Sequence, residues 1–262
     1  MGEDKQLLSL LKDTPNIIGQ IYMDVAQPSA KVVGAALSTV FEFSTSFLLP
    51  IKLLNEKFKL NFTKRLEEYR IKLEKIPEDK RCEVHPQIGT PLIEKLSYTT
   101  NDEIADLFTT LLANASNLDL VNTAHPSFIS LIERLSPDEA RIISYLKWRN
   151  DIQYCHFTAE PLNGKGYKNI YEYLTLVTDE VNLDFPQNLK VYLSNLTSLG
   201  VLVDMVNVFR VDDSIYNKIA QKYNFKGLEA QLVPQKIKKL SLSKSYFKVT
   251  EYGRLFINSC VK

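Results

Sequence analysis

The chain reads as mainly α: a helical bundle in the N-terminal region, followed by a smaller α+β module. Three observations predict this. Apolar residues recur at spacings of three and four from Ile51 to Ile76 and again from Ile104 to Ala115, the repeat of helices with one buried face. Helix-starting signals, a Ser or Thr followed three residues later by Glu, stand at Thr100–Glu103 and Ser136–Glu139. Toward the C-terminus, short runs rich in β-branched and aromatic residues (Val201–Val203, Ile237–Leu242, Tyr246–Val249) replace the helical period. The 262 residues are 45% apolar and 24% charged, enough chain for a sizeable core and an ordinary globular composition.

Taken in order, Gln6–Lys12 is a short amphipathic segment closed before Pro15, and Asn16–Ala26 a second helix. Gln27-Pro28-Ser29 breaks and restarts the chain, because proline disfavours helical geometry in the residue before it. The next helix runs from Ser29 to Leu49 and stops at Pro50. Within it, Val32–Ile51 has the length of a membrane span, about 20 residues. Glu42 near its middle argues otherwise: a central acid costs roughly 2.5–3.5 kcal/mol on insertion, and Leu and Phe at roughly −0.3 to −0.6 each offset this only in part. A buried or lipid-surface helix is expected there.

Ile51, Leu54, Phe58, Phe62, Leu66, Tyr69, Leu73 and Ile76 then form one stripe, the mark of a single helix about 39 Å long. Its other faces carry Lys52, Lys57, Lys59, Lys64, Arg65, Arg70, Lys72 and Lys75 against four glutamates. This is a bundle helix with a solvated charged face. Alternatively it grips anionic lipid or a partner, with Lys52, Lys57, Lys59, Lys64 and Arg65 as the contact face.

Pro77 ends that helix, and Glu78–Thr90 reads as a loop. Thr90-Pro91 opens a short helix to Leu96, since proline costs little at the first helical position. The Thr100–Glu103 box starts the helix that buries Ile104, Leu107, Phe108, Leu111, Leu112 and Ala115. His125-Pro126 opens another, and Ser136 caps the helix from Pro137 to Trp148. Beyond Asn150 the sequence predicts a turn at Asn163–Gly166, a tyrosine-rich helix over Asn169–Val177, and a helix over Phe185–Gly200 with Gly200 as its left-handed end. After the Val201–Val203 strand, an insertion of about residues 205–234 holds a helix at Ile215–Tyr223. Thr250 caps a last helix, Glu251–Cys260. The expected division is a helical domain over 1–135 and a C-terminal domain over 136–262.

The sequences NLTSLGVLVD and YFKVTEYGRLFI (helix, glycine, strand, then a Thr-x-x-Gly-Arg helix start) resemble the end of winged-helix domains, in which a recognition helix runs into a small β wing. A DNA-reading version needs cations or amides on that helix and near the wing. Lys190, Lys236, Lys238, Lys239, Lys244 and Lys248 are the residues that would meet phosphate. From Met205 onward the chain carries 11 basic against 4 acidic residues, while the first 204 residues are net −6 and the whole chain is +1. A basic surface at one end is permitted; a general polyanion binder is not.

No arrangement of residues suited to catalysis stands out. Walker loops, nucleophile elbows, dinucleotide turns and H-E-x-x-H are absent. Cys82 and His85 lie three apart and Cys155 adjoins His156, but paired ligand clusters of the zinc type are missing. His85 and His125 each precede proline and read as local caps. No enzyme activity, cofactor, metal or small-molecule substrate is expected. Three widely spaced cysteines fit a reducing cytoplasm better than a disulfide framework. The acidic start, MGEDKQLLSLLKD, lacks the basic region and apolar length of a secretory signal.

Several segments together resemble a known family: Asp24-Val25-Ala26-Gln27-Pro28, Ile76-Pro77-Glu78, Pro91-Leu92-Ile93-Glu94, the LFTTLLANAS helix, and the block from His125-Pro126-Ser127-Phe128 to Ser136-Pro137-Asp138-Glu139-Ala140. In combination they are similar to the abortive infection alpha proteins of bacteria. The resemblance implies a mostly helical protein in anti-phage defence, in which an infected cell halts or dies before virus spreads. It carries over no catalytic residue. The expectation is a cytoplasmic defence protein, able to associate with the inner face of the membrane, that acts by binding a protein partner or itself. A membrane-active effector using residues 32–76 and a DNA-binding winged-helix regulator stand as alternatives.

Overall fold

The computed structural model describes residue 33 and residues 35–40, 56–233 and 236–262. The helices expected over Gln6–Lys12 and Asn16–Ala26, and most of Ser29–Leu49, lie outside the described residues; residues 35–40 are helical. The described residues are mostly helical, with one four-stranded antiparallel sheet among them. It divides into two compact units, one holding the described residues up to Ala140 together with Leu255–Lys262, the other Arg141–Arg254.

In the first unit, α1 (Glu56–Leu73), α2 (Pro86–Tyr98) and α3 (Asp102–Ala115) pack against one another, and α4 (Ser127–Glu133) rests on α2 and α3. The two stripes do what their spacing requires. Phe62, Leu66, Tyr69 and Leu73 of α1 are buried, as are Leu107, Phe108, Leu111, Leu112 and Ala115 of α3. Two boundaries differ from expectation. Helix α2 starts at Pro86 rather than Thr90, because His85 caps it: the Gln87 N–H donates to His85 Nδ1 at 3.2 Å. Pro91 therefore sits inside the helix. Helix α3 is capped by Asn101, not Thr100, with the Ile104 N–H donating to Asn101 Oδ1 at 3.0 Å. The box that opens α5 (Pro137–Tyr145) has the expected partners: Ser136 N–H donates to Glu139 Oε2 at 2.6 Å, and Glu139 N–H to Ser136 Oγ at 3.3 Å.

The second unit is built on β1 (Asp151–Pro161), β2 (Lys168–Leu174), β3 (Leu202–Met205) and β4 (Ile237–Val249), in the order β2-β1-β4-β3. Helices α6 (Val177–Glu180) and α7 (Leu189–Ser198) precede β3, while α8 (Ser214–Lys222) and α9 (Phe225–Leu232) separate β3 from β4. The sheet is larger than the small wing expected. The tyrosine-rich segment is strand β2, not a helix, because its residues find partners on β1. The runs Ile237–Leu242 and Tyr246–Val249 are one strand, since Ser243, Lys244 and Ser245 between them continue the ladder with β1, and Ser241, Ser243 and Ser245 share one face of it. On the opposite face Cys155, Phe157, Ala159 and Leu240 pack against Tyr216 and Ile219 of α8.

The Thr-Glu-Tyr-Gly-Arg segment closes this unit where α10 (Glu251–Cys260) begins. Thr250 Oγ1 donates to Gly200 O at 2.5 Å and accepts the Gly253 N–H at 2.8 Å. Gly253 lies so close to Val201 that a Cβ there would collide with the Val201 carbonyl. The Arg254 guanidinium donates to the carbonyls of Leu146 and Lys147, each at 3.2 Å, and to Asn150 Oδ1 at 2.9 Å. One motif thus joins the helix before β1, the turn at Gly200 and the start of the last helix. Among the described residues, no helix is long and apolar enough to cross a membrane.

Candidate binding surfaces

Among the described residues, the basic face read along Lys52–Arg65 is interrupted by pairing and burial. Lys52 lies outside the described residues. Lys57 is exposed and Lys59 half-buried. Lys64 is paired with Asp102 at 2.7 Å. Arg65 is only 1% exposed, which removes it from any lipid-contacting face. Its guanidinium donates to Thr99 O at 3.1 Å and Thr100 O at 2.8 Å and pairs with Glu68 and Asp102. It therefore ties the end of α2 to the start of α3. Arg70 is paired with Glu67 and Glu74 on its own helix. Lys72 is buried, with Nζ donating to Asp106 O, Thr109 Oγ1 and Thr110 Oγ1 at 2.6–2.8 Å and pairing with the Asp106 carboxylate. Burial lowers its pKa to about 8, and Asp106 offsets this only in part.

The six lysines read as phosphate contacts divide in the same way. Lys190, the one cation on α7, is ion-paired with Glu172. Lys238 pairs with Glu160 at 2.7 Å, and Lys244 with Asp213 at 2.7 Å. Lys236, Lys239 and Lys248 are exposed, with no carboxylate in ion-pair range among the described residues. Lys239 and Lys248 project from opposite faces of β4. The lysines do not converge.

Two surface features of the second unit go beyond the residues expected to bind. The first is the segment after β3, Met205-Val206-Asn207-Val208-Phe209-Arg210-Val211. Val206, Phe209 and Val211 are 58%, 57% and 99% exposed. The segment is held from behind: the Asn207 N–H donates to Ser245 Oγ at 3.0 Å, Arg210 N–H to Tyr216 Oη at 3.1 Å, and Arg210 pairs with Asp151 while lying over the Tyr246 ring. Its apolar side chains are thus presented by anchored backbone. An apolar run between two polar segments was the available signal in the sequence.

The second is a cleft of about 380 Å³ between α7 and the sheet, lined by Tyr173, Lys190, Ser194, Thr197, Ser198, Asp204 and Phe247. Behind it Tyr154, His156, Tyr173 and Phe247 form a ring cluster with centroids 4.9–5.8 Å apart. Tyr173 has φ +52, a left-handed conformation costly for an aromatic residue, and its N–H donates to His156 Nδ1 at 3.2 Å. That bond leaves the imidazole proton on Nε2, and burial lowers the His156 pKa, so the ring is neutral at pH 7. Tyr154 Oη donates to Asp204 Oδ1 at 2.5 Å. Burial, and then the Asp204 carboxylate, raises the Tyr154 pKa. The other two histidines serve as local caps: His85 at α2, and His125 through its Nδ1 contact with the Ser127 N–H at 3.1 Å.

Comparison with known proteins places these features in a family. The family described as "Abortive infection alpha" matches residues 55–260. No curated protein matches the chain. Among solved structures, an uncharacterized protein from the hydrocarbon-degrading marine bacterium Alcanivorax borkumensis SK2 aligns with 18% identity and a TM-score of 0.33, over 51% of this chain and 94% of that one. The family match spans most of the sequence and takes in the helical stripes, the capping box and the closing motif: the chain belongs to the abortive infection alpha family.

Proposed function

We propose that the protein serves anti-phage defence by binding a protein partner, not by catalysis, and that its second unit makes the contact. The observation that carries this reading is the exposed apolar run of Val206, Phe209 and Val211 on backbone anchored through Asn207 and Arg210. Apolar side chains clustered in water on a held segment favour association. Trp148, 87% exposed, is a further candidate anchor, because tryptophan is enriched among energetically dominant contact residues.

The order of elements around α7, Gly200, β3 and β4 supports a winged-helix-like arrangement, with β1, β4 and β3 as its sheet and α8–α9 as an insertion. In this reading the module packs against protein. Pairing of Lys190 with Glu172 removes the one cation that its recognition helix would offer to phosphate. Thr197 and Ser198, two of the hydroxyl residues lining a polar cleft, donate to the helix carbonyls of Leu193 and Asn195 at 2.8 Å, which speaks against activated nucleophiles. None of Cys82, Cys155 and Cys260 is in a disulfide, in keeping with action in a reducing cytoplasm.

The test pairs Phe209→Ser with Val211→Ser in a bacterium challenged with phage. The double variant should fold like the parent by circular dichroism, lose partner capture and lose protection. Full protection with this loop altered would rule the proposal out. A gel-shift series from low to high salt addresses the regulator reading, in which retention at low salt would weaken steeply as salt rises.

A further inference from the structure

We infer that the cleft between α7 and the sheet is a binding site for an organic cation, an alkylammonium or guanidinium group. The argument rests on which hydrogen-bonding capacity remains free on its walls. Thr197 Oγ1 and Ser198 Oγ give their protons to main-chain carbonyls of α7, so toward the cleft they offer lone pairs. Asp204 holds Tyr154 Oη on Oδ1, and among the described residues no donor reaches its other oxygen. The Tyr173 and Phe247 rings line the same cleft and stack on each other, and Lys190 Nζ already lies over the Tyr173 ring, so this aromatic surface accepts a cation. The one cation at the rim, Lys190, is matched by Glu172 and lies 5.4 Å from the Tyr173 ring centroid. Lys190, Glu172 and Asp204 together leave the cleft with one net negative charge. The hydroxyls of Ser194 and Tyr173, which also line it, can accept as well as donate, so this anionic, partly aromatic hollow suits a donor-rich cation and repels phosphate.

The backbone adds a second line. Tyr173 is held at φ +52 by the His156 acceptor, a costly arrangement for a bulky residue that fixes its ring at the rim of the cleft. About 380 Å³ accommodates a side-chain-sized ligand, at the small end of ligand pockets. The cation has two natural sources, a free polyamine or the Lys or Arg side chain of a partner polypeptide.

Calorimetric titration of the full chain tests this, with n-butylammonium, butylguanidinium, spermidine, a capped peptide bearing one Arg, and inorganic phosphate as probes. Saturable binding of a cation, and none of phosphate, is expected. Spermidine tighter than the monocations would identify a free polyamine as the source; the Arg peptide tighter than butylguanidinium would identify a partner side chain. Asp204→Asn keeps an acceptor for Tyr154 and should weaken binding by at least about tenfold, the scale of a hydrogen bond between charged groups. Lys190→Met removes the competing charge and should tighten binding by roughly threefold, a gain that misfolding does not produce. Absence of saturable cation binding, an Asp204→Asn variant that binds as well as the parent, or preferential uptake of phosphate would overturn the assignment. The loop variants at Phe209 and Val211 should bind the monocations unchanged, which separates this site from the proposed partner surface.

Discussion

Gly253→Ala sets two known effects against each other. Alanine favours a helix over glycine by about 1 kcal/mol, and Gly253 stands in the first turn of α10, so propensity alone predicts stabilisation. Close packing predicts the reverse. A Cβ at this position would lie 2.9 Å from the Val201 carbonyl carbon and 3.0 Å from Val201 Cα, with the carbonyl oxygen nearer still. These are backbone atoms at the turn held by Thr250 Oγ1, so no flexible side chain can swing aside. Overpacking of this kind costs about 1–3 kcal/mol, and more where backbone must move. The collision should win, giving a net loss of about 1–2 kcal/mol. At roughly 2–4 °C per kcal/mol for a chain of this size, Tm should fall by about 2–8 °C. Thermal unfolding followed by circular dichroism measures it. A variant more stable than the parent would mean that α10 does not approach Val201 in this way, and the account of the closing motif would fail.

Other outcomes follow from the same geometry. Lys72 titrates at about 8 when folded against an ordinary 10.5, so between these values the unfolded chain binds the extra proton and stability rises with pH. Denaturant unfolding at pH 7.5 and pH 10.5 should show up to roughly 3 kcal/mol of gain from this group, absent in Lys72→Met; an equal pH response in both proteins would refute it. Ser136→Ala should cost about 1 kcal/mol through loss of the capping box, read from a denaturant midpoint shift. Burial pushes the Cys155 thiol up to about 12, and Cys260 is also buried while Cys82 is half-exposed. Mass-spectrometric mapping after brief alkylation of native protein at pH 8 should find label on Cys82 first, and on Cys155 only after denaturation.

The helical half was legible because each stripe has one partner face: Leu107, Phe108, Leu111 and Leu112 follow helical spacing and are all buried by neighbouring helices. The sheet was less so. Strand β1 has Tyr154 and Ile152 buried on one face and Cys155, Phe157 and Ala159 on the other, so no polar alternation marks it. In β2, Tyr171 acquires its strand character from register with Phe157 of β1, a long-range cause that local spacing does not carry. Charge was the least legible of all. Lys64, Arg65, Arg70 and Lys72 look alike along the sequence, yet Lys64 and Arg70 are paired toward solvent while Arg65 and Lys72 are both buried. The cleft depends on Asp204 of β3 lying beside α7 and next to Phe247 of β4. These residues are separated by insertions, and only the closed sheet brings them together.

The left-handed turn at Tyr173 also bears on solubility. Strands β2 and β3 form the two rims of the sheet, where unpaired main-chain groups can recruit another molecule into a growing ribbon. Along β2 the pairing with β1 slips at Cys155–Phe157 and again at Phe157–Thr158, and the chain reverses its handedness at Tyr173. A rim broken in this way offers no straight ladder for an incoming strand. The opposite rim, β3, spans only four residues. Amyloid-like stacking is therefore disfavoured at both margins, even though Ile170 and Tyr171 of β2 are left in water.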